Sequence, residues 1–365
     1  MAVDFVAELP IPERIRDPLR AALRGEGSDW PEPLTAGELR TLTEHGVGPL
    51  VYAAAHLPQL RGDAIRAAAI ESARAADLRG VLEALAARGV EALLMKGSAL
   101  AYQLYAAPEL RPRGDTDLLI AADAVATVRA VMQELGFAGQ VTSGDEHGVR
   151  QTLFTRPPGM VYDVHWAATN LPLFDALLRY AQLRRDAVAV PALGPHALAL
   201  APVDALLLAC IHRVAHHHDS DRLIWLADIA LLRDRMSPEE HRRFWHLAAD
   251  ARVVAICSRS IEVADFWMSR APHDRAADWL DADELHRAES SAALLDRDIT
   301  HGRLLAANFR ALPWRARLTR LRQLAFPPRE FMRQSFGATS ALALPWWYAY
   351  RGARGVLRLF RRAAR

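Results

Sequence analysis

A short apolar run that ends in a glycine-serine turn interrupts an otherwise helical sequence. Residues 92–95 read Ala-Leu-Leu-Met, are followed by Lys96-Gly97-Ser98, and lead into a helical pattern over residues 99–105. An apolar run bounded by a turn is typical of a buried strand, and a glycine-serine pair allows a tight connection into a helix. The segment therefore predicts a strand, a turn and a helix in direct succession.

Helical and strand patterns divide the chain into three regions. Alanine-rich residues 64–87 carry leucines at helical spacing, so we expect an N-terminal helical cap over residues 1–90. Residues 91–200 form the predicted core, and residues 201–365 read as a C-terminal helical domain. The core holds all the strand patterns, which lie at residues 92–95, 115–120, 137–141, 151–156 and 161–166, with a helix at 122–135 and a hairpin or linker at 188–195. The expected fold class is α+β, with a small mixed sheet between the two helical regions.

Composition excludes several classes of protein. Of the 365 residues, 51% are apolar and 24% are charged, which is typical of a folded globular chain. Cys210 and Cys257 are the only cysteines, too few for a disulfide framework and consistent with a reducing compartment. The first ten residues lack the features of a signal peptide, and no stretch reads as a membrane-spanning helix. We therefore expect a cytoplasmic protein.

Three aspartates are placed to share one face of the predicted sheet. Asp115 and Asp117 lie two residues apart on one strand, so their carboxylates project from the same face. Asp163 and His165 share a face of another predicted strand, with residues 162, 164 and 166 on the opposite face. Clustered carboxylates repel one another unless cations lie between them, and Mg²⁺ or Mn²⁺ suits such oxygen ligands. The pattern predicts a metal-dependent phosphoryl or nucleotidyl transfer site, where His165 orients the acceptor or hydrogen-bonds a carboxylate.

The turn that precedes these acids is a candidate phosphate-binding element. A helix N-terminus at Gly97 and Ser98 offers backbone N–H groups, a hydroxyl and the positive end of the helix dipole. Lys96 beside it is the single lysine among 45 basic residues, and lysine is a more compact charge than arginine. Arg111 and Arg113 are further candidates to neutralise a pyrophosphate leaving group, with a solvated surface turn as the alternative.

Three motifs together carry a resemblance to a known family. They are Leu94-Met95-Lys96-Gly97-Ser98, the run Arg-Pro-Arg-Gly-Asp-Thr-Asp-Leu-Leu-Ile at residues 111–120, and Asp163-Val164-His165-Trp166. This arrangement resembles the nucleotidyltransferase superfamily typified by DNA polymerase beta, and more narrowly the bacterial uncharacterised nucleotidyltransferases. The similarity covers most of the chain from about residue 90. The sequence departs from minimal members in the sixteen residues between Ser98 and Asp115.

The resemblance implies a specific activity and residue roles. Asp115 and Asp117 would hold two metal ions, and Asp163 would complete the second metal site and activate an acceptor hydroxyl. Gly97 and Ser98 would contact the β- and γ-phosphates of a nucleoside triphosphate. The implied reaction transfers a nucleoside monophosphate to a hydroxyl or phosphate acceptor on a small molecule, sugar or peptide and releases pyrophosphate. A nucleic-acid partner is not firmly implied.

Polar residues of the C-terminal helical region form a second candidate group. His212 and His216 lie one helical turn apart, and Arg222 and Asp228 follow them. Packing or hydrogen-bonded structural roles are the favoured interpretation of these four residues, and contact with substrate across a cleft or a metal site are the alternatives. Asp228 lies in an apolar helix, where an unpartnered acid is costly. We therefore expect Asp228 to pair with an arginine or a histidine.

The last 65 residues are strongly basic. Residues 301–365 contain fourteen arginines and one acid, which gives +13, whereas the first 300 residues sum to −11. The end of the chain is amphipathic, with Val356, Leu359, Phe360 and Ala363 on one side and Arg354, Arg358, Arg361, Arg362 and Arg365 on the other. Aromatic residues beside a basic helix suit a membrane surface, an acidic peptide or a nucleic acid. A helix packed on its own domain is the alternative.

Two other functions stay open on sequence grounds. A nucleotide-sugar-dependent glycosyltransferase also uses an Asp-x-Asp, but it places a long α/β half before that motif and needs neither the Gly-Ser turn nor Asp163. The non-enzymatic alternative is a nucleotidyltransferase-like module that binds a partner in a regulatory pair. The complete set of three acids favours an enzyme over a module with an inactive site.

Overall fold

The computed structural model describes residues 9–140, 150–174, 177–271, 273–296, 306, 309–310, 314–327, 329–336 and 343–362. Residues 1–8, to which the expectation about a signal peptide applies, lie outside this set, as does the end of the strand predicted at 137–141. The side chains predicted for the two sides of the tail helix lie outside it from residue 355 onward. No helix in the described ranges is long and apolar enough to cross a membrane.

In the described part of the chain, a mixed sheet of seven strands forms the centre of the fold. The strands are β1 (Leu93–Leu94), β2 (Thr116–Leu119), β3 (Ala138–Gly139), β4 (Gln151–Arg156), β5 (Met160–His165), β6 (Val188–Ala189) and β7 (Leu198–Ala199). Their order across the sheet is β3-β4-β5-β2-β1-β7-β6. Strand β2 is parallel to β5 and β1 is parallel to β7, whereas the other neighbours are antiparallel. The expected α+β class is confirmed, and β6 and β7 form the hairpin expected near residues 188–195.

Helices surround this sheet and make up most of the remaining described chain. The first seven are α1 (Glu13–Leu23), α2 (Ala36–Glu44), α3 (Gly48–Ala55), α4 (Arg61–Ala86), α5 (Lys96–Leu104), α6 (Val125–Glu134) and α7 (Tyr180–Asp186). The C-terminal ones are α8 (Pro202–Ala215), α9 (Leu223–Asp234), α10 (Pro238–Asp250), α11 (Val254–Trp267), α12 (Ala282–Leu285), α13 (Trp314–Ala325), α14 (Arg329–Phe336) and α15 (Leu344–Arg362). The long helix predicted at residues 64–87 is confirmed as α4.

Local sequence signals explain where two of these helices begin. Before α2, the Thr35 hydroxyl accepts from the Glu38 N–H, and the Glu38 carboxylate accepts from the Thr35 N–H. Ser237 and Glu240 form the same reciprocal pair before α10, where Pro238 occupies the first helical position. Such capping boxes satisfy N–H groups that a helix start leaves without partners, so they fix the first turn.

Two apolar cores lie on opposite faces of the sheet. One core joins α1–α3 to α8–α11 and includes Leu93 and Leu119 from the sheet. The other core packs α4 and α6 against Leu118 and Val164. Helices α1–α3 before the sheet and α8–α11 after it therefore share one core, which extends across the boundaries predicted at residues 90 and 200.

The register of β2 and β5 fixes which side chains face each core. Asp117 pairs with Asp163, and Leu119 pairs with His165. Because side chains alternate along a strand, the two acids and His165 project to the face of Leu119, and Leu118 projects to the other. The alternation predicted for residues 161–166 is thereby confirmed. The acids lie on the face that carries α5 and the core of the C-terminal helices.

Candidate active site

Asp117, Asp163 and His165 form a compact buried group on the parallel strands β2 and β5. One ligand atom from each side chain lies within 4.8 Å of the other two, and all three residues are buried. Buried carboxylates this close repel each other unless positive charge is placed near them. The Lys96 ammonium supplies positive charge here, and the His165 imidazole supplies a hydrogen-bond donor.

The His165 imidazole lies between the two carboxylates. Its Nε2 is 3.2 Å from Asp117 Oδ1 and 3.2 Å from Asp163 Oδ2, and it is the donor because ionised carboxylates only accept. Burial and the Lys96 charge lower the pKa of His165, but the hydrogen bonds to both carboxylates outweigh them, so this pKa is raised. His165 therefore carries a proton on Nε2 and orients both carboxylates.

Lys96 forms an ion pair with Asp117. Its Nζ is 2.6 Å from Asp117 Oδ1, and only 19% of the lysine side chain is exposed. Burial lowers the pKa of Lys96, but the charge and hydrogen bond of Asp117 raise it more. Burial likewise raises the pKa of Asp117, but Lys96 and His165 together bring it well below its usual range. Both members of the pair are therefore charged at neutral pH.

The Lys-Gly-Ser turn is bonded directly to the strand that carries Asp117. The Ser98 hydroxyl accepts from the Asp117 N–H at 2.8 Å, and the Met95 N–H donates to the Asp117 carbonyl at 3.2 Å. Lys96 has a left-handed backbone with φ of 50°, which turns the chain from β1 into α5. The N-terminus of α5, with the positive end of its dipole, therefore lies beside the carboxylates.

Asp115 directly precedes β2 and is partly exposed. Burial and the negative charge of Asp117 raise its pKa, and Lys96 offsets only part of this effect. A raised pKa means that the ionised carboxylate is disfavoured at this position. Additional positive charge next to Asp115 would therefore be stabilising.

The donor set fits a divalent cation. Asp163 Oδ2 accepts from Gln151 Nε2 at 3.0 Å, whereas Oδ1 is buried without a hydrogen-bond partner in the described part of the chain. Such an oxygen is costly to bury, and oxygen ligands of this kind suit Mg²⁺ and Mn²⁺. The group that the structure brings together and that could hold an ion is Asp117, Asp163 and His165, whereas Asp115, also predicted as a ligand, lies outside this group.

A family model described as uncharacterised nucleotidyltransferase matches residues 38–269. This range contains the three aspartates, the Lys-Gly-Ser turn and helices α8 and α9, and it is well over half of the chain. The chain belongs to this nucleotidyltransferase family. The resemblance seen in the sequence is confirmed, and family membership supports nucleotidyl transfer as the general activity. No curated protein matches the sequence.

In this nucleotidyltransferase, Arg111 forms a buried ion pair with Asp228 of α9. Arg111 Nη2 is 2.6 Å from Asp228 Oδ2, and the Tyr105 hydroxyl donates to Asp228 Oδ1 at 2.8 Å. The expectation that Asp228 pairs with an arginine or a histidine is confirmed. The guanidinium also packs against Gly97, where any Cβ would overlap Arg111 Nη1. Glycine at position 97 therefore leaves the room that Arg111 needs to reach Asp228.

Arg113 holds the segment that leads into the acidic strand. Its guanidinium donates to Glu71 at 3.1 and 2.9 Å, to the Asp115 carbonyl at 3.0 Å and to the Thr116 hydroxyl. The Tyr102 hydroxyl donates to Glu71 as well, at 2.6 Å. The Arg113 side chain is only 2% exposed, so its contacts are with the protein. Glu71 and Tyr102 were not predicted from the sequence. They lie on helices far from residue 113 in the chain, and no local sequence pattern indicates such a long-range contact.

An aromatic cluster lies where α8 ends and α9 begins. The ring of His212 is 5.3 Å from that of His216 and 4.5 Å from that of His217, centroid to centroid. The ring of His217 is 4.2 Å from that of Trp225, and the Arg222 guanidinium lies 5.0 Å from the Trp225 ring. We call His212, His216, His217 and Trp225 the histidine cluster. The structure thus brings together the predicted His212, His216 and Arg222 and adds His217 and Trp225, which were not among the predicted substrate contacts.

Burial and the nearby Lys96 ammonium lower the pKa values of the cluster histidines. The pKa of His212 lies well below its ordinary value, that of His216 is lowered to about 3, and that of His217 to about 4. All three imidazoles are therefore neutral at physiological pH. Because Lys96 also pairs with Asp117, the cluster and the carboxylate group lie within electrostatic reach of one ammonium.

Acidification is expected to destabilise the protein through these histidines. These histidines have a lower pKa in the folded state than in the unfolded state. Below about pH 6.5 the unfolded chain therefore binds protons that the folded protein does not, and the free energy of unfolding decreases as the pH falls toward the folded-state pKa. Between pH 7.5 and pH 5.0, His216 and His217 should each lower the free energy of unfolding by about 1 to 2 kcal/mol. Urea unfolding at pH 7.5 and pH 5.0 measures it.

The matched variants for this measurement are His216→Gln and His217→Gln, with exposed His196→Gln as the control. Each cluster variant should show a smaller loss of unfolding free energy between the two pH values than the parent, because it no longer takes up that proton on unfolding. The control should keep the parent's loss. Equal losses in all four proteins would contradict the assignment.

Proposed function

We propose that the protein catalyses metal-dependent transfer of a nucleoside monophosphate from a nucleoside triphosphate to a hydroxyl or phosphate acceptor, with release of pyrophosphate. The observation that carries the proposal is the position of the α5 N-terminus beside Asp117 and Asp163, joined through the bond between Ser98 and Asp117. Phosphoryl transfer needs carboxylates that can hold a cation and donors that can hold the phosphates. Family membership supports the general activity.

The three aspartates would hold Mg²⁺ or Mn²⁺. Such an ion, when bound, neutralises phosphate charge and lowers the pKa of an attacking hydroxyl. His165 donates to Asp117 and Asp163, so it keeps both carboxylates in one orientation. Asp163 Oδ1 has no hydrogen-bond partner among the described residues. In the proposal this oxygen is the atom of Asp163 that would hold the ion.

Lys96 and Gly97 would bind the triphosphate at the N-terminus of α5. The Lys96 ammonium lies against Asp117 and beside the first turn of the helix, where it can neutralise a phosphate oxygen. Ser98 is fully buried and accepts from the Asp117 N–H. Its part in the proposal is therefore to hold the turn against the acidic strand.

The two arginines act in the proposal through other residues. Arg111, paired with Asp228, packs against Gly97 and so supports the phosphate-binding turn. Arg113 holds the backbone of Asp115 through its bond to that carbonyl. Both are positioning residues, because their donors are engaged by protein groups in buried surroundings.

The histidine cluster and Arg222 would contact the nucleotide or the acceptor. Three neutral imidazoles and one indole offer flat faces for stacking, and Arg222 adds a positive charge above the indole. The cluster lies within electrostatic reach of Lys96, which is the residue assigned to the phosphates. In the proposal the cluster therefore lies on the substrate side of the site.

The direct test is to mix the protein with each labelled nucleoside triphosphate and Mg²⁺ and to measure pyrophosphate release and the melting temperature. One triphosphate should raise the melting temperature with Mg²⁺ and lose this effect with EDTA, because a ligand of the folded state stabilises it by mass action. Absence of both pyrophosphate and a melting shift with every triphosphate would contradict the proposal. Release of a nucleoside diphosphate from a sugar nucleotide would instead indicate a glycosyltransferase, and a shift without turnover would indicate a sensing module.

Lys96→Arg is expected to raise the apparent triphosphate KM or lower turnover about tenfold, equivalent to about 1.4 kcal/mol of lost transition-state stabilisation. The lysine is largely buried, pairs with Asp117 and lies next to a crowded glycine. A broad guanidinium does not fit the place of a compact ammonium there. Steady-state kinetics measure the effect, with exposed Arg40→Lys as the matched control. Unchanged kinetics for Lys96→Arg would remove Lys96 from phosphate binding.

A further inference from the structure

Exposed apolar side chains are concentrated in the C-terminal helices α13 to α15. Nine large apolar side chains are exposed among the described residues, and six of these lie between residues 314 and 350. They are Trp314, Leu318, Leu321, Phe326, Trp346 and Tyr350, which we call the C-terminal apolar surface. Exposed apolar side chains at this density along one segment mark a candidate site of contact with a partner.

Helix α13 exposes an apolar stripe to solvent. Trp314, Leu318 and Leu321 follow the spacing of one helical face and are 64%, 59% and 51% exposed. A helix packed on its own domain would bury this face. The buried contacts of the segment lie between α14 and α15, where Met332 and Leu344 form a small separate core. The stripe is therefore left for a partner outside the described chain.

The same segment carries strong positive charge. Residues 301–365 contain fourteen arginines and a single acid. Arg315 and Arg322 are exposed on α13, and the Arg315 guanidinium lies 5.3 Å from the Trp314 ring centroid. Because the surface has one sign of charge, two copies of it repel each other. A second copy of this segment is therefore a poor occupant, and an anionic partner is a good one.

We propose that the C-terminal apolar surface binds peripherally to a lipid bilayer that contains anionic phospholipids. Tryptophan, tyrosine and leucine side chains enter the interfacial region, and arginines contact lipid phosphates. A nucleic acid, or an acidic peptide without apolar side chains, would match the charge but would leave Leu318, Leu321 and Phe326 in water. The segment lies beyond the family match, which ends at residue 269. The inference therefore stands apart from the proposed catalytic activity.

Vesicle flotation with the full chain tests the proposal. The protein should float with vesicles of phosphatidylcholine and about 30% phosphatidylglycerol, and it should bind phosphatidylcholine alone much more weakly because the arginines then lack anionic partners. The combined variant Trp314→Ser, Leu318→Ser and Leu321→Ser should lower partitioning at least about tenfold. Arg315→Gln and Arg322→Gln should each lower partitioning about fivefold. At high salt this decrease should be smaller, because salt screens the attraction between arginine and lipid phosphate.

The matched control removes apolar surface elsewhere. Ile65→Ser with Ile70→Ser changes two exposed apolar residues of α4 and should leave partitioning unchanged. All variants replace exposed side chains, so circular dichroism and melting temperature should match the parent. Failure to float with anionic vesicles, or flotation that the α13 variants leave unchanged, would overturn the proposal. Binding to a polyanion such as heparin without binding to vesicles would also overturn it.

Discussion

Asp115→Asn is expected to lower nucleotidyl transfer at least about 100-fold while the folded protein stays as stable as the parent or becomes more stable. Burial and the charge of Asp117 disfavour the ionised Asp115 carboxylate in the folded state, and its pKa is raised. A neutral amide removes that repulsion, but it also removes a negative oxygen ligand from the proposed cation site. Pyrophosphate release and urea unfolding at pH 7.5 measure the two effects separately.

Asp117→Asn is the matched comparison, since it should also abolish transfer but should destabilise the fold. Its carboxylate pairs with Lys96 and His165 in a buried setting, and removing one partner of a buried pair costs about 3 kcal/mol or more. The two variants therefore separate loss of activity from loss of stability. Near-parent activity in Asp115→Asn would contradict the carboxylate assignment. A large loss of stability in Asp115→Asn would contradict the electrostatic argument.

The sequence predicted the parts of the site that depend on local periodicity. Alternation along a strand has a period of two, so Asp163 and His165 had to share a face once β5 was recognised. The Gly-Ser turn and α5 were predicted from a local change of pattern in the same way. The register of β2 and β5 confirms the shared face. Strand alternation is a property of a few neighbouring residues, which is why it can be read without the fold.

The partners of these side chains could not be predicted, because they come from distant parts of the chain. The sequence indicated that Asp228 needs a cationic partner, but only the fold identifies it as Arg111, which is 117 residues away. Lys96 was assigned to phosphate from composition, and its ion pair with Asp117 emerged only from the structure. The core that α1–α3 share with α8–α11 is likewise a product of tertiary packing. A sequence pattern can show that a side chain needs a partner of opposite charge, but the tertiary fold determines which residue is that partner.

Asp228→Ala is expected to lower the free energy of unfolding by about 3 to 5 kcal/mol, because it leaves the Arg111 guanidinium buried without its counter-charge. The two side chains are only 7% and 4% exposed and are joined by a 2.6 Å contact. Arg111→Met should cost a similar amount, since it leaves the Asp228 carboxylate buried with the Tyr105 hydroxyl as its one remaining donor among the described residues. Urea unfolding of both single variants measures these losses.

The double variant Arg111→Met with Asp228→Leu tests whether the pair contacts the nucleotide in addition to stabilising the fold. Apolar side chains of similar size remove both buried charges together, so most of the lost stability should return. If the pair only supports the turn at Gly97, the double variant should also regain the triphosphate-dependent rise in melting temperature. If stability returns but that rise does not, Arg111 or Asp228 contacts the nucleotide directly, and the positioning role assigned to Arg111 is wrong. A double variant as unstable as the single ones would contradict the coupling itself.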